Sequence, residues 1–186
     1  MTAKVLIDAC VLFPTVAREV LLAVAQEGLF KPCWSPRILE EWARAARKIG
    51  PTGEVQARAE IALMTAAWPG CSFDPKDGDL GRLWLPDPND IHVLAAAIAA
   101  SADLLLTWNH RDFPRRTLQE EGLDRADPDG FLMELWMAAP APVEAAVGRV
   151  HSTAVQMAGS PKELRPLLKK ARLPRLARAL GSQQQV

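Results

Sequence analysis

Residues 87–107 read DPNDIHVLAAAIAASADLLLT, and this stretch decides the fold. After its first residue, the segment 90–100 is apolar on nearly every side, which predicts a helix buried against several neighbours. The leucines of segment 104–107 form a short apolar run, which is typical of a strand buried on both faces. A buried helix followed by such a strand indicates a parallel sheet covered by helices.

The same alternation of short apolar runs and longer helical stretches extends outward from this segment. Further strands are predicted at residues 5–7, 30–34, 71–73 and 122–126. Further helices are predicted at residues 15–27, 35–49, 52–68 and 129–137. Ser35 followed by Pro36 is a typical helix start, whereas residues 74–87 are predicted to form a loop. The pattern predicts an α/β fold with a central parallel sheet.

The composition changes after Pro140, where helices are predicted at residues 141–157 and 162–180 without any strand pattern. Residues 181–186 are expected to be frayed. We therefore divide the chain into a domain of residues 1–138 and a C-terminal helical extension of residues 139–186.

Charge and cysteine content exclude several classes of protein. Lys plus Arg and Asp plus Glu both number 22, so the net charge indicates no partner, although residues 70–103 are acidic and residues 160–186 are basic. The three cysteines lack CxxC spacing, which argues against a zinc site or a disulfide scaffold. Without a basic leader or an 18-residue apolar run, the sequence predicts a cytoplasmic protein with no membrane span.

Acidic residues occur where predicted strands end and predicted helices begin. Asp8 follows the first strand, with helix capping as the alternative role. Glu41 lies at the border of an apolar helix stripe, so it can point inward or remain a surface charge. Asp90 starts the buried helix, where backbone amides and the helix dipole are expected to keep its carboxylate ionised. Asp112 follows the leucine-rich strand, with turn capping as its alternative.

Two residues near Asp90 have simpler interpretations. Asp87 can cap the helix that follows or lie in the outer shell of a metal. His92 is expected to pack or to form a hydrogen bond rather than bind a metal, because no second histidine is near it. Since sites in parallel α/β folds form at the carboxyl edge of the sheet, the separated acids are expected to meet there.

These residues carry a resemblance to a known family. Segments 6–12, 35–42, 87–97 and 102–113 together resemble the PIN-domain ribonucleases in order and spacing, over roughly residues 3–130. The run 87–97 followed by 102–113 is the most specific part, and it is especially similar to VapC-type toxins of bacterial toxin–antitoxin pairs.

The resemblance implies a three-layer α/β/α fold and a Mg²⁺- or Mn²⁺-dependent endoribonuclease that hydrolyses RNA. Its catalytic and metal-binding acids would be Asp8, Glu41, Asp90 and Asp112. Oxygen ligands without His or Cys suit these hard cations, which activate water and neutralise charge on the phosphate. Without metal, the converging carboxylates are expected to raise at least one pKa.

Two positions depart from the family pattern. Cys10 stands where Asn, Thr or Ser is common, so a hydrogen bond near the metal is missing or replaced. Asn109 stands where some relatives carry an acid, which favours Asp112 as the fourth acid and leaves the number of metals open. Thr107 and Asn109, together with Asp87, are expected to orient water or support the ligands from a second shell.

An acidic site needs nearby positive charge before it can bind RNA. Arg111, Arg115 and Arg116 are candidate RNA contacts, with solvated surface as the alternative for each. The basic C-terminal helices can hold RNA or meet an acidic antitoxin, and family kinship also implies a homodimer. Two other functions stay open: a PIN-like binding module that has lost its metal, and a nuclease for RNA processing or structured DNA outside any toxin pair.

Overall fold

The computed structural model, which describes residues 2–160 and 163–181, contains a sheet of four parallel strands. In chain order, the strands are β1 (Lys4–Ile7), β2 (Lys31–Cys33), β3 (Leu104–Leu106) and β4 (Asp124–Ala126), and their spatial order is β2-β1-β3-β4. The two central strands, β1 and β3, are the most deeply buried, as expected inside a parallel sheet. The predicted α/β/α fold class with a central parallel sheet and a C-terminal helical part is confirmed.

The register of β1 and β3 brings their carboxyl ends level. Ile7 lies opposite Leu106, and the next amide along, that of Asp8, donates to the carbonyl oxygen of Leu106 at 3.1 Å. Thr107 continues β3 in the same way, since its amide donates to the carbonyl oxygen of Ala126 at 3.1 Å. Asp8 and Thr107 are therefore the first residues beyond two neighbouring strands.

The helices account for most of the remaining described residues. They are α1 (Ala9–Leu12), α2 (Thr15–Gln26), α3 (Pro36–Ala45), α4 (Gly53–Ala67), α5 (Asp77–Arg82), α6 (Ile91–Ala100), α7 (Arg115–Glu120), α8 (Pro128–Ala138), α9 (Pro140–Ala158), α10 (Leu164–Lys170) and α11 (Pro174–Gly181). Two 3₁₀ helices, Ala46–Ile49 and Pro88–Asp90, precede α4 and α6. None of the helices in the described ranges is both long and apolar enough to cross a lipid bilayer.

Helix α3 begins as the sequence predicts. The Ser35 hydroxyl accepts a hydrogen bond from the amide of Ile38 at 3.2 Å, and Pro36 occupies the first helical position. Pro36 costs the helix nothing there, because the first amides of a helix have no intrahelical acceptor. The cap fixes where α3 starts and hence which face carries Glu41.

Two predictions in the middle of the chain were wrong in detail. Residues 71–73 do not form a strand, because only Ser72 makes an isolated parallel bridge, with Trp34. The predicted loop 74–87 contains helix α5. This helix includes two glycines, and because glycine has a low helix propensity, the sequence does not predict it.

The prediction of one continuous helix at residues 162–180 was also wrong, because this segment contains two helices, α10 and α11. The chain turns at Arg172, whose φ of 63° is left-handed, and Pro174 then starts α11. Proline fits a first helical turn but not a helix interior, so the break falls before it. Residues 161–162, at the predicted start of this helix, and 182–186, most of the predicted frayed tail, lie outside the described residues.

The chain divides into two compact units. The first comprises residues 1–13 and 31–126 and contains the whole sheet, and the second comprises residues 14–30 and 127–186. Within the second unit, the buried Asp129 carboxylate accepts hydrogen bonds from the amides of Arg175 and Leu176 at 2.9 and 3.0 Å, which caps α11. The domain boundary proposed between residues 138 and 139 stays a prediction.

Gly53, the first residue of α4, lies close to the backbone of the preceding 3₁₀ helix. A Cβ at this position would lie 2.1 Å from the carbonyl oxygen of Ala46, a backbone atom that cannot rotate away. We expect Gly53→Ala to lower the free energy of unfolding by about 2 kcal/mol, measured by urea denaturation. Gly81→Ala, which adds its Cβ in open space within α5, is the matched control and should be neutral or slightly stabilising. Equal stability of Gly53→Ala and the parent would contradict this close approach.

Candidate metal centre

Asp8 is a buried carboxylate at the end of β1, with 8% of its surface exposed. It occupies the N-cap position of α1, yet within the described structure its side chain makes no capping hydrogen bond. Its Oδ2 instead accepts hydrogen bonds from Thr107 Oγ1 at 2.7 Å and from Cys10 Sγ at 2.9 Å. The carboxylate is therefore fixed at the edge of the sheet and is not used to start the helix.

Cys10 acts as a hydrogen-bond donor to Asp8. Burial, reinforced by the negative charge of Asp8, raises the pKa of the Cys10 thiol to about 12. The thiol therefore stays protonated near neutral pH, whereas a metal ligand would have to be a thiolate. The cysteine thus replaces the expected hydrogen-bonding residue and keeps a donor next to the acid.

Three aspartates converge beside this pair. One carboxylate oxygen from each of Asp87, Asp90 and Asp112 lies within 4.8 Å of the other two, and we call this set the three-aspartate group. Asp90 ends the 3₁₀ helix before α6. Asp87 caps that 3₁₀ helix by accepting a hydrogen bond from the amide of Asn89 at 2.9 Å. All three carboxyl groups are partly buried.

The electrostatics of Asp90 differ from the sequence-based expectation. Burial raises its pKa to about 6, with further contributions from the negative charges of Asp8, Asp87 and Asp112. Desolvation and like charges outweigh the helix dipole, so the helix start does not hold the pKa of Asp90 at its ordinary value. A carboxyl group with a pKa of about 6 is still mostly ionised near neutral pH. The prediction that converging carboxylates raise at least one pKa is confirmed.

Thr107 and Asn109 connect Asp8 to Asp90. The fully buried Thr107 hydroxyl donates to Asp8 and accepts from the amide of Asn109 at 2.9 Å. The Asn109 side-chain amide then donates to Asp90 Oδ2 at 3.0 Å. This chain of hydrogen bonds orients two carboxylates that come from distant parts of the sequence. The water-orienting role of Thr107 and Asn109 stays a prediction.

Glu41 is not a member of the three-aspartate group. Its side chain is 38% exposed, and its Oε1 lies 2.8 Å from Nε2 of His92 and 3.5 Å from Nε of Arg37. His92 is 2% exposed, which agrees with the expectation that it packs in the core. Glu41 therefore contacts α6 at His92, which follows Asp90 by two residues.

Asp87 is a member of the three-aspartate group, whereas the sequence predicts a capping or outer-shell position for it. Its carboxylate does cap the 3₁₀ helix, and one of its oxygens also lies within 4.8 Å of a carboxylate oxygen of Asp90. The signal was the run Asp87-Pro88-Asn89-Asp90, because a proline-started turn returns residues three apart to the same side. The roles of these acids as metal ligands stay predictions.

The three candidate RNA-contacting arginines are exposed. Arg115 Nη1 lies 3.7 Å from Asp124 Oδ1, and Arg116 Nε lies 3.4 Å from Glu120 Oε1. Such exposed pairs contribute little to stability and leave a guanidinium accessible to phosphate. Arg111 directly precedes Asp112 of the three-aspartate group.

Residues 3–111 match the family model of the PIN domain, and this match covers more than half of the chain. The chain belongs to the PIN-domain family. PIN domains are generally metal-dependent nucleases that act on nucleic acid. The family model specifies no toxin, and neither a curated protein nor a solved structure matches the chain significantly. The matched region includes Asp8, Glu41 and Asp90 and ends one residue before Asp112.

The donor chemistry of this PIN domain fits a hard divalent cation. The three-aspartate group offers carboxylate oxygens only, and the neighbouring Cys10 thiol is protonated. Mg²⁺ and Mn²⁺ favour oxygen ligands, whereas zinc sites usually contain nitrogen or sulfur ligands. A cation would also offset the burial and the like charges that raise the pKa of Asp90.

The metal-free protein should lose stability as Asp90 ionises. Because its folded-state pKa of about 6 lies above the ordinary value of 3.8, its contribution is complete below about pH 4 and is lost as the pH rises through about 6. We expect the parent to lose about 1–2 kcal/mol relative to Asp90→Asn between about pH 4 and about pH 7.5, measured by urea denaturation in EDTA. Asp74→Asn, at an exposed position, should follow the parent. A stability difference independent of pH would contradict the shifted pKa.

Proposed function

We propose that this PIN domain is a Mg²⁺- or Mn²⁺-dependent endoribonuclease that hydrolyses RNA phosphodiester bonds. The observation that carries the proposal is the convergence of three aspartates beside the buried Asp8 at the edge of the sheet. Membership of the PIN-domain family supports nuclease chemistry. The choice of RNA rests on the resemblance of residues 87–113 to VapC-type toxins.

The residues that would hold the cation are Asp90 and Asp112, with Asp8 and Glu41 completing the predicted set and Asp87 close beside them. When bound, a divalent cation lowers the pKa of the attacking water and neutralises charge that develops on the phosphate. The carboxylates supply the negative charge that retains such a cation next to a polyanionic substrate.

The hydrogen bonds of the site reduce the rearrangement that binding requires. Thr107 and Asn109 already hold Asp8 and Asp90 in fixed orientations, and Cys10 adds a second donor to Asp8. A site whose ligands are fixed by such outer partners binds and orients more effectively than one built on mobile side chains. The exposed Arg111 would contact the phosphates on either side of the cleaved bond.

RNA cleavage in Mn²⁺ tests the nuclease proposal directly. We expect Asp8→Asn and Asp90→Asn to cut an RNA substrate at least about 100-fold more slowly than the parent, because each removes a charge from the cation site. Asp74→Asn changes an exposed acid in the same acidic segment and should cut at the parental rate. Equal cutting by all four proteins would reject the proposed mechanism. Mn²⁺ binding without cleavage of RNA or structured DNA would favour the binding-module alternative.

We further propose that the enzyme is the toxin of a toxin–antitoxin pair, acting in the cytoplasm as a homodimer with a cognate antitoxin. The resemblance to VapC-type toxins supports this role. The exposed basic residues Lys169, Lys170 and Arg175 on α10 and α11 supply a surface for an acidic segment of the antitoxin or for RNA.

Growth of a bacterial host tests the toxin role. Induction of the parent should arrest growth, and induction of Asp90→Asn at the same protein level should not, because arrest requires RNA cleavage. Asp74→Asn should arrest growth like the parent. An active nuclease whose induction leaves growth unchanged would place the protein in RNA processing outside any toxin pair.

A further inference from the structure

His92 is a polar residue inside an otherwise apolar helix. Its neighbours Val93 and Leu94 are fully buried, and His92 itself is 2% exposed. In the described structure Nδ1 has no hydrogen-bond partner, and Nε2 lies 2.8 Å from Glu41 Oε1, within ion-pair distance but outside hydrogen-bond geometry. Burial of an imidazole without a polar partner is costly, so the Glu41 carboxylate is the group that compensates for it.

Glu41 has a second possible partner, Arg37, on the same helix. The Arg37 guanidinium lies 3.5 Å away, and its side chain is 57% exposed. Exposed pairs four residues apart on a helix are weak because water and salt screen them. His92 is closer to Glu41 and is buried, so water and salt screen this contact less than the contact with Arg37.

His92 also lies close to the three-aspartate group. It follows Asp90, a member of that group, by two residues in the sequence. The imidazole therefore joins the Glu41 carboxylate on α3 to the first turn of α6, which follows Asp90.

We propose that His92 is a positioning residue that holds the Glu41 carboxylate toward the three-aspartate group and so adds a ligand from α3 to the cation site. This inference rests on the proposed function, because it requires a bound cation. It needs no change of protonation, since the neutral imidazole tautomer with Nε2–H can donate to a carboxylate once a rotation of the ring or the carboxylate aligns the 2.8 Å contact.

The affinity of the full-length chain for Mn²⁺, measured by titration calorimetry without RNA, tests this role. We expect His92→Leu to bind Mn²⁺ about tenfold more weakly or worse, as is usual when a partner of a metal ligand is removed. His92→Gln, whose side-chain amide can donate from nearly the same place as Nε2, should restore most of that loss. Arg37→Gln removes the competing partner and should leave the affinity within about twofold of the parent.

A double-mutant cycle separates positioning from general damage to the fold. Glu41→Gln should weaken Mn²⁺ binding, and adding His92→Leu to it should cause no further loss, because the histidine acts only through Glu41. Melting temperatures in EDTA show whether each variant folds. If His92→Leu does not fold, His92→Asn replaces it, since its shorter amide cannot reach Glu41. Parental affinity in the histidine variant, an equal loss in both backgrounds, or failure of His92→Gln to restore binding would each overturn the proposal.

The outcomes also distinguish this inference from the nuclease proposal. Mn²⁺ binding that depends on His92, in a protein that cuts no nucleic acid, would contradict the nuclease function and support the positioning role. RNA cleavage with Mn²⁺ affinity independent of His92 would contradict the positioning role alone. A parent that binds no Mn²⁺ would overturn both.

Discussion

Parallel pairing between β1 and β3 is the constraint on which the site depends. Every side chain in the apolar parts of these strands is Val, Leu or Ile, so hydrophobic burial alone discriminates poorly between registers. The residues just beyond the strands discriminate well, because only the observed register places the Thr107 hydroxyl 2.7 Å from the Asp8 carboxylate. A shift by one residue would leave a buried carboxylate without this donor, which costs more than a lost hydrogen bond on the surface. The contact that builds the site therefore also fixes the sheet.

The site is also a source of electrostatic strain. Burial, and then the negative charges of Asp8, Asp87 and Asp112, raise the pKa of Asp90, so ionising this carboxyl group is unfavourable without a cation. Hydrogen bonds from Thr107, Cys10 and Asn109 offset part of this cost by stabilising specific carboxylate oxygens. A fold that only needed stability would not place these acids together, which is the trade-off common at functional sites.

The sequence predicted much of the fold because its signals were local. Ser35-Pro36 fixed the start of α3, and apolar runs identified the central strands. The failures occurred where local signals were weak or ambiguous. The leucines of residues 164–180 keep a helical spacing on both sides of the left-handed Arg172, so their periodicity conceals the break.

The sequence identifies candidate acids at the carboxyl edge of the sheet, but it does not give the geometry of their approach. Parallel strands share one carboxyl edge, which predicts that Asp8, Asp90 and Asp112 approach one another. The closeness of Asp87 depends on a 3₁₀ turn, and turns of this length carry little propensity signal. The pairing of Glu41 with His92 joins residues far apart in the sequence, and only the tertiary structure determines the distance between them.

The acidic side chains of the site differ in how strongly burial and hydrogen bonds restrict their motion. Asp8 is buried at the end of a central strand and accepts two side-chain hydrogen bonds. Asp87 and Asp90 lie on a short 3₁₀ turn, where part of the hydrogen bonding is local. Glu41 is an exposed side chain on a helix surface. Since fixing a side chain costs conformational entropy, a cation gains most from partners that order the loosest ligand beforehand. If Glu41 binds the cation as proposed, a buried histidine beside it therefore contributes more to cation binding than another donor beside Asp8 would.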